Sequence, residues 1–232
     1  MGRVTAARAV LLDALGTLVE LEPPGPALRQ ELRARCGIQV SRAAAERAMA
    51  TEILFYRANL REGRDRDALA GLRRRCTAVL AGALGEPVSD LQMADLQGVL
   101  LASLRFRAFP EVPTALARMR ARGVRLVVVS NWDWSLHEML ARTGLASQLS
   151  GAISSAELGV GKPSPAIFRH ALTLAGVPAD AAIHVGDTPS EDVAGAQAAG
   201  IEPVLIARRG KPKGPRGVRT VRSLTEVDEL AA

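Results

Sequence analysis

Asp13, Ser130, Asn131 and Asp187 each stand directly behind an apolar run. Asp13 follows Val10-Leu11-Leu12, Ser130 and Asn131 follow Val127-Val128-Val129, and Asp187 follows His184-Val185-Gly186. If those runs are neighbouring strands, the polar residues gather at one sheet edge, where open parallel sheets bind ligands. Carboxylates brought together there repel, and each is costly to desolvate unless paired or bound to a cation. A hard divalent cation resolves both problems. Mg2+ takes one or two carboxylates together with waters and phosphate oxygens. Each residue also has a plainer reading. Asp13 starts a turn that Gly16-Thr17 closes, and Ser130-Asn131 caps a helix near Trp132. Lys162, in a Gly-Lys-Pro loop, is a solvated lysine, and His184, inside an apolar strand, is a core histidine. Asp187 could cap the next helix, but Thr188 already fills that place ahead of Pro189. The joint order of these residues, rather than any one of them, points to chemistry.

The elements that would position them alternate. Residues 8–12, 124–129, 182–185 and 203–207 read as strands, with shorter ones near 151–154 and 218–222. Helices are expected at about 112–122, 133–143, 165–175 and 224–231, and from Pro189 to Gly200. Ser164-Pro165 supplies an N-cap and first helical position, and Thr188-Pro189-Ser190-Glu191 a capping box. From about Pro23 to Arg107 no strand is expected. Helical periods cover roughly 26–36, 42–61, 66–84 and 90–104, the last opened by the capping box Ser89-Asp90-Leu91-Gln92. Strands alternating with helices imply a parallel sheet covered on both faces. The expected fold is a doubly wound, Rossmann-like α/β core from residues 1–20 and 108–232. An α-helical cap at 21–107 is inserted after the first strand.

A length of 232 residues suits one large domain, or one domain carrying a smaller one. Hydrophobic residues at 48% and charged residues at 23% exclude a wholly disordered chain. No run approaches the ~18 uncharged apolar residues of a membrane span. Asp13 interrupts the N-terminal apolar run, so no secretory leader is expected and the location is read as cytoplasmic. Cys36 and Cys76 have no metal-ligand spacing and are read as reduced thiols. The net charge of +6, the pI of about 10.3 and seven basic residues in Arg208–Arg222 would suit phosphate or nucleic acid. Aromatics at 3% leave few stacking platforms for single strands, so nucleic acid is not the expected partner.

The order of motifs resembles the haloacid dehalogenase superfamily, whose members are mostly phosphohydrolases. Asp13-Ala14-Leu15-Gly16-Thr17 stands where that family has Asp-x-Asp-Gly-Thr at the end of a strand. Ser130 in VVVSNWD, Lys162 in GVGKPSPAIF and Gly186-Asp187-Thr188-Pro189-Ser190-Glu191-Asp192 match its other motifs. The likeness covers about 1–20 and 108–210, and the helical insert falls where the family places its cap. The resemblance implies that Asp13 is the nucleophile and that Lys162 offsets the charge around it. It implies that Ser130, Asn131, Lys162 and Thr17 serve the substrate phosphate, Thr17 by supporting the first loop. Mg2+ would be held by Asp13, the backbone carbonyl of Leu15 and Asp187, with Asp192 binding directly or through water.

One departure carries weight. The family's phosphatases place a second Asp two residues after the nucleophile, to protonate the leaving oxygen. Here that position is Leu15, and such an acid typically contributes ~10²–10⁴-fold. A Mg2+-dependent phosphohydrolase of small phosphorylated molecules is the expected function, one that handles good leaving groups or recruits an acid from the cap, with Glu20 and Glu22 just past the first motif as candidate substitutes. A 2-haloacid dehalogenase is the alternative, because halide leaves unprotonated, although such enzymes need no metal. A catalytically weak ligand-binding or protein-binding module is a third reading. A phosphonate-cleaving relative would need a cap lysine, and residues 18–107 contain none. Substrate identity and the choice between monomer and homodimer stay open.

Overall fold

A computed structural model describes residues 7–208 and 214–230. Along the chain, β1 (Ala9–Leu12) and β2 (Val19–Leu21) precede α1 (Pro24–Cys36), α2 (Arg42–Asn59), α3 (Arg66–Leu84) and α4 (Met93–Ser103). Then follow β3 (Phe106–Ala108), α5 (Val112–Ala121), β4 (Arg125–Ser130), α6 (Leu136–Arg142), β5 (Gly151–Ser154), α7 (Ser155–Leu158) and α8 (Pro165–Ala175). The chain closes with β6 (Ala182–Gly186), α9 (Ala194–Ala198), β7 (Glu202–Ile206), β8 (Arg219–Val221) and α10 (Leu224–Leu230). The described residues fall into two compact units, Met1–Glu20 with Ala108–Ala232, and Leu21–Arg107. No helix among them is long and apolar enough to cross a membrane.

In the first unit, β5-β4-β1-β6-β7-β8 form one sheet in which every neighbouring pair is parallel. Strand order reverses around β1, whose Leu12 lies opposite Val128 of β4 and Val185 of β6. All four residues of β1 are buried, as are five of the six in β4. Strands covered on both faces read as continuous apolar runs, which is why no alternation marks them. Leu11, Val127 and Val129 pack with Ile167, Phe168 and Ala171 of α8. That helix starts where the Ser164 hydroxyl accepts from the Ala166 N–H at 3.3 Å, and Gly176 ends it in the left-handed conformation.

In the second unit, α1 to α4 pack around Leu28, Leu32, Met49, Leu72, Leu80 and Leu96. Ser41 and Asp65 cap α2 and α3 through bonds of 3.1 and 2.8 Å from the N–H groups of Ala44 and Ala68. One carboxylate interrupts the apolar face of α2. Glu52 is 2% exposed, and burial pushes its carboxyl above the usual range, against a hydrogen bond from the Cys76 thiol. The native state keeps this proton at pH values where the unfolded chain has released it. Stability therefore falls as pH rises from the unfolded carboxyl value of 4.5 toward the raised native one. Glu52→Gln is expected to stabilise the chain at neutral pH by on the order of 1 kcal/mol in thermal melts. The gain should vanish below pH 4.5. A gain independent of pH would refute a buried, penalised carboxylate.

Three local expectations are corrected. The three-residue strands β2 and β3 pair with each other although no strand was expected up to Arg107, and Val-Glu-Leu and Phe-Arg-Ala are too short to show a strand period. The capping box at 89–92 does not form. The Ser89 hydroxyl instead donates to Glu86 O at 3.0 Å, and α4 begins after Gln92 with no side-chain cap. α6 begins at Leu136 rather than 133, because Asp133 Oδ1 accepts from the Ser135 N–H and hydroxyl at 2.7 and 2.6 Å and holds a turn ahead of it. The Trp132 indole N–H joins that turn, donating to Ser135 Oγ at 3.2 Å.

Candidate active site

Asp13 is the first residue past β1, and its backbone N–H still bonds Val185 O of β6 at 2.9 Å. Its carboxylate therefore starts where the ladder stops. Ser130, the last residue of β4, donates to Asp13 Oδ1 at 3.2 Å. Lys162 arrives from the loop before α8 with a side chain only 1% exposed. Its ammonium donates to Asp13 Oδ1 at 2.5 Å and to Asp192 Oδ1 at 2.6 Å. The reading of Lys162 as a solvated lysine is excluded by that burial. Asp187, just past β6, is exposed, and oxygens of Asp13, Asp187 and Asp192 lie within 4.8 Å of one another.

Two glycines let these carboxylates approach the backbone. Gly16 has φ +84°, and a Cβ there would overlap the Asp187 carboxylate. A Cβ on Gly186 would likewise overlap the Asp192 carboxyl. The capping box expected at Thr188–Glu191 is absent. Residues Pro189–Val193 wind as a π-type turn, Thr188 makes no side-chain cap, and its hydroxyl donates to Asp187 at 3.0 Å. Its N–H donates to Asp192 Oδ2 at 2.9 Å, so the carboxylate at the turn's end caps the turn's beginning.

His184 is a core histidine, fully buried and edge-on to Phe168 at 4.9 Å. It also has a role that the sequence did not suggest, because its Nε2 lies 3.0 Å from Asp192 Oδ1. Asn131 makes bonds that the sequence did not suggest. Its amide donates to Lys162 O at 3.1 Å and Glu191 Oε2 at 2.9 Å, and its carbonyl accepts the Lys162 N–H at 2.9 Å. The side chain therefore holds the lysine loop. Glu191, whose place in this clamp had no sequence signal, joins it through the π-type turn. Thr17 is fully buried, and its hydroxyl makes no hydrogen bond among the described residues. Leu15 bridges to Val19 and brings no titratable group.

Three carboxylates thus cluster together, and one ammonium pairs with two of them, Asp13 and Asp192. His184 adds no charge to offset them, since burial lowers its pKa more than Asp192 raises it. Burial pushes Asp13 up to about 7, with Asp192 and Asp187 adding to the effect and Lys162 opposing it. Burial raises Asp187 too. Burial would also raise Asp192, but bonds from His184 and Lys162 hold it well below the usual carboxylate range. Asp13 and Asp192 in turn keep the buried Lys162 protonated. The negative surplus and the all-oxygen donor set fit a hard divalent cation.

A phosphoserine phosphatase of Thermus thermophilus is 40% identical over 112 residues, 48% of this chain and 45% of that protein. A plasmid phosphoglycolate phosphatase of Cupriavidus necator is 39% identical over 125 residues, 53% of each chain. The chain spans about half the length of these curated relatives. The solved structure of a 2-haloacid dehalogenase from Pseudomonas syringae pv. Tomato superposes with a TM-score of 0.68 at 28% identity, covering 97% of both chains. A sequence profile of haloacid dehalogenase-like hydrolases matches residues 7–200. That span reaches from the strand leading to Asp13 through the turn that carries Asp192, and the chain belongs to the haloacid dehalogenase-like hydrolase family.

Proposed function

We propose that the chain is a Mg2+-dependent phosphohydrolase that acts on a small phosphorylated molecule through a phosphoryl group carried on Asp13. The observation that carries this reading is the 2.5 Å pairing of buried Lys162 with Asp13 inside a surplus of carboxylates. Ser130 and Lys162 both bond Asp13 Oδ1, and Oδ2 bears no hydrogen bond among the described residues. Oδ2 is therefore the oxygen available to attack phosphorus. The new P–O bond forms as the bond to the leaving oxygen breaks, giving an aspartyl-phosphate that water then hydrolyses. Lys162 and Ser130 stand ready to donate to the phosphoryl oxygens as charge moves onto them. Asp13, Asp187 and the Leu15 carbonyl would hold Mg2+. Both Asp192 oxygens already accept hydrogen bonds, which favours its contact through water. Bound Mg2+ supplies neutralisation of the carboxylate surplus and of the phosphate charge. The helical unit Leu21–Arg107 is assigned the role of a cap that selects the substrate.

Leu15 cannot protonate a leaving oxygen, so the substrate is a phosphate whose leaving group departs unaided, such as an acyl or aryl phosphate. The same residue supports a second reading, a 2-haloacid dehalogenase, since halide needs no proton and the 28%-identical structure carries that name. Asp187 and Asp192 favour the first. Hydrolysis of p-nitrophenyl phosphate and of glycerol phosphate, each with Mg2+ or with EDTA, decides between them beside chloride release from 2-chloropropionate. The aryl ester should turn over about a hundredfold faster than the alkyl ester, and EDTA should stop both. Chloride release that survives EDTA, with both esters inert, would establish the dehalogenase. Equal rates on the two esters, with chemistry rate-limiting, would mean that another residue supplies the proton.

A further inference from the structure

Arg208 opens the basic stretch that runs to Arg222 and reads in the sequence as one solvated cation among seven. Residues 209–213 of that stretch lie outside the described residues. Arg208 itself is enclosed, with a side chain 12% exposed. Its Nε donates to Gly16 O at 3.1 Å, its Nη2 to Thr17 O, and its Nη1 to Glu111 Oε1 at 2.6 Å. The guanidinium lies 3.6 Å from the centroid of the Phe109 ring.

The loop it touches satisfies its own inner groups but not its outer ones. Ala14 O accepts from the N–H groups of Thr17, Leu18 and Val19, and Gly16 N donates to Val19 O at 2.8 Å. The carbonyls of Gly16 and Thr17 point away from this coil and find Arg208. Thr17 is fully buried, and a buried carbonyl without a partner costs more than the bond itself is worth. Gly16 is also the residue that lies against the Asp187 carboxylate. We propose that Arg208 is a positioning residue: by binding the Gly16 and Thr17 carbonyls it fixes the loop that presents the Leu15 carbonyl and seats Gly16 against Asp187. Its consequence for metal and turnover rests on the phosphatase reading; the loop placement rests on geometry alone. Only a planar fork that also stacks on a ring can make these contacts together, so lysine is not a conservative replacement.

The test compares the full-length parent chain with Arg208→Lys and Arg208→Ala. Amide hydrogen exchange of residues 16–19, Mg2+ binding by calorimetry, and kcat and KM on p-nitrophenyl phosphate are measured for each. In Arg208→Lys, protection of the loop amides should fall by about tenfold while β6 and α8 keep theirs. Mg2+ affinity should weaken by about tenfold and kcat should fall, with KM moving less than about twofold. Methylguanidinium added to Arg208→Ala should restore part of the loop protection. Parental loop protection in Arg208→Lys would overturn the inference. So would a uniform loss across the core together with a lower melting temperature, which marks a merely structural residue. A parent chain that neither binds Mg2+ nor hydrolyses the ester would remove the phosphatase reading, while the exchange measurement would still decide the loop placement.

Discussion

Asp13→Asn is expected to stop phosphate ester hydrolysis while making the metal-free protein more stable. The two effects have one origin. Asp13 is the carboxylate with an oxygen free to attack, and an amide in its place is no nucleophile. The loss should reach at least about ten-thousandfold in kcat, the scale seen when a covalent nucleophile is removed. The same substitution takes one negative charge out of a cluster in which three carboxylates face a single ammonium. Asn keeps an oxygen to accept from Ser130 and Lys162, and Lys162 keeps Asp192 as its counter-charge at 2.6 Å. In EDTA at neutral pH the variant should therefore be more stable by on the order of 1 kcal/mol. Mg2+ should close that gap, because the parent chain has the larger surplus for the cation to neutralise. Residual hydrolysis near the parental rate would remove Asp13 from the chemistry. A less stable variant in EDTA would mean that the carboxylate's bonds outweigh its repulsion.

The parts of the fold legible in the sequence were those decided by neighbours along the chain. The continuous apolar runs ending at Leu12, Val129 and Val185 became β1, β4 and β6, because central parallel strands bury both faces. Residues 66–84 read as a helix, and α3 spans the same residues, with the Asp65 side chain as its cap. Long-range pairing decided the rest. Thr188 to Glu191 has the local chemistry of a capping box, yet Asp192 is drawn to Lys162, 30 residues away in sequence, and to His184 on β6. Those bonds, with Thr188 N capped by Asp192 itself, outweigh the local preference and wind the turn more widely.

Burial of a charge is equally invisible to local reading. Lys162 looked like any loop lysine, and Arg208 like any basic-loop arginine, because their partners lie 149 and 192 residues away. Asn131 was legible as a site residue, but its bonds to the lysine loop were not. An amide next to Ser130 suits a phosphate oxygen, and no sequence signal indicates that the loop around Gly161 comes close enough to claim it. A Cβ on Gly161 would crowd Asn131 Oδ1, which explains why glycine precedes the lysine.

Lys162→Met is expected to be the most damaging single substitution in the core, for stability as well as turnover. Methionine matches the length of the stem but leaves three carboxylates within 4.8 Å of one another and no ammonium among them. Removing one partner from a buried ion pair costs about 3–5 kcal/mol, because the remaining charge is neither solvated nor matched. Urea unfolding in EDTA should show that loss, and hydrolysis should fall by at least about a thousandfold as the donor to the phosphoryl group disappears. The double variant Asp13→Asn with Lys162→Met sharpens the reading. If repulsion among the stranded carboxylates is the cause, removing Asp13 should recover part of the stability, and the two changes should not add. Simple additivity would place the damage in lost packing instead. A Lys162→Met protein as stable as the parent would overturn the account of stranded carboxylates.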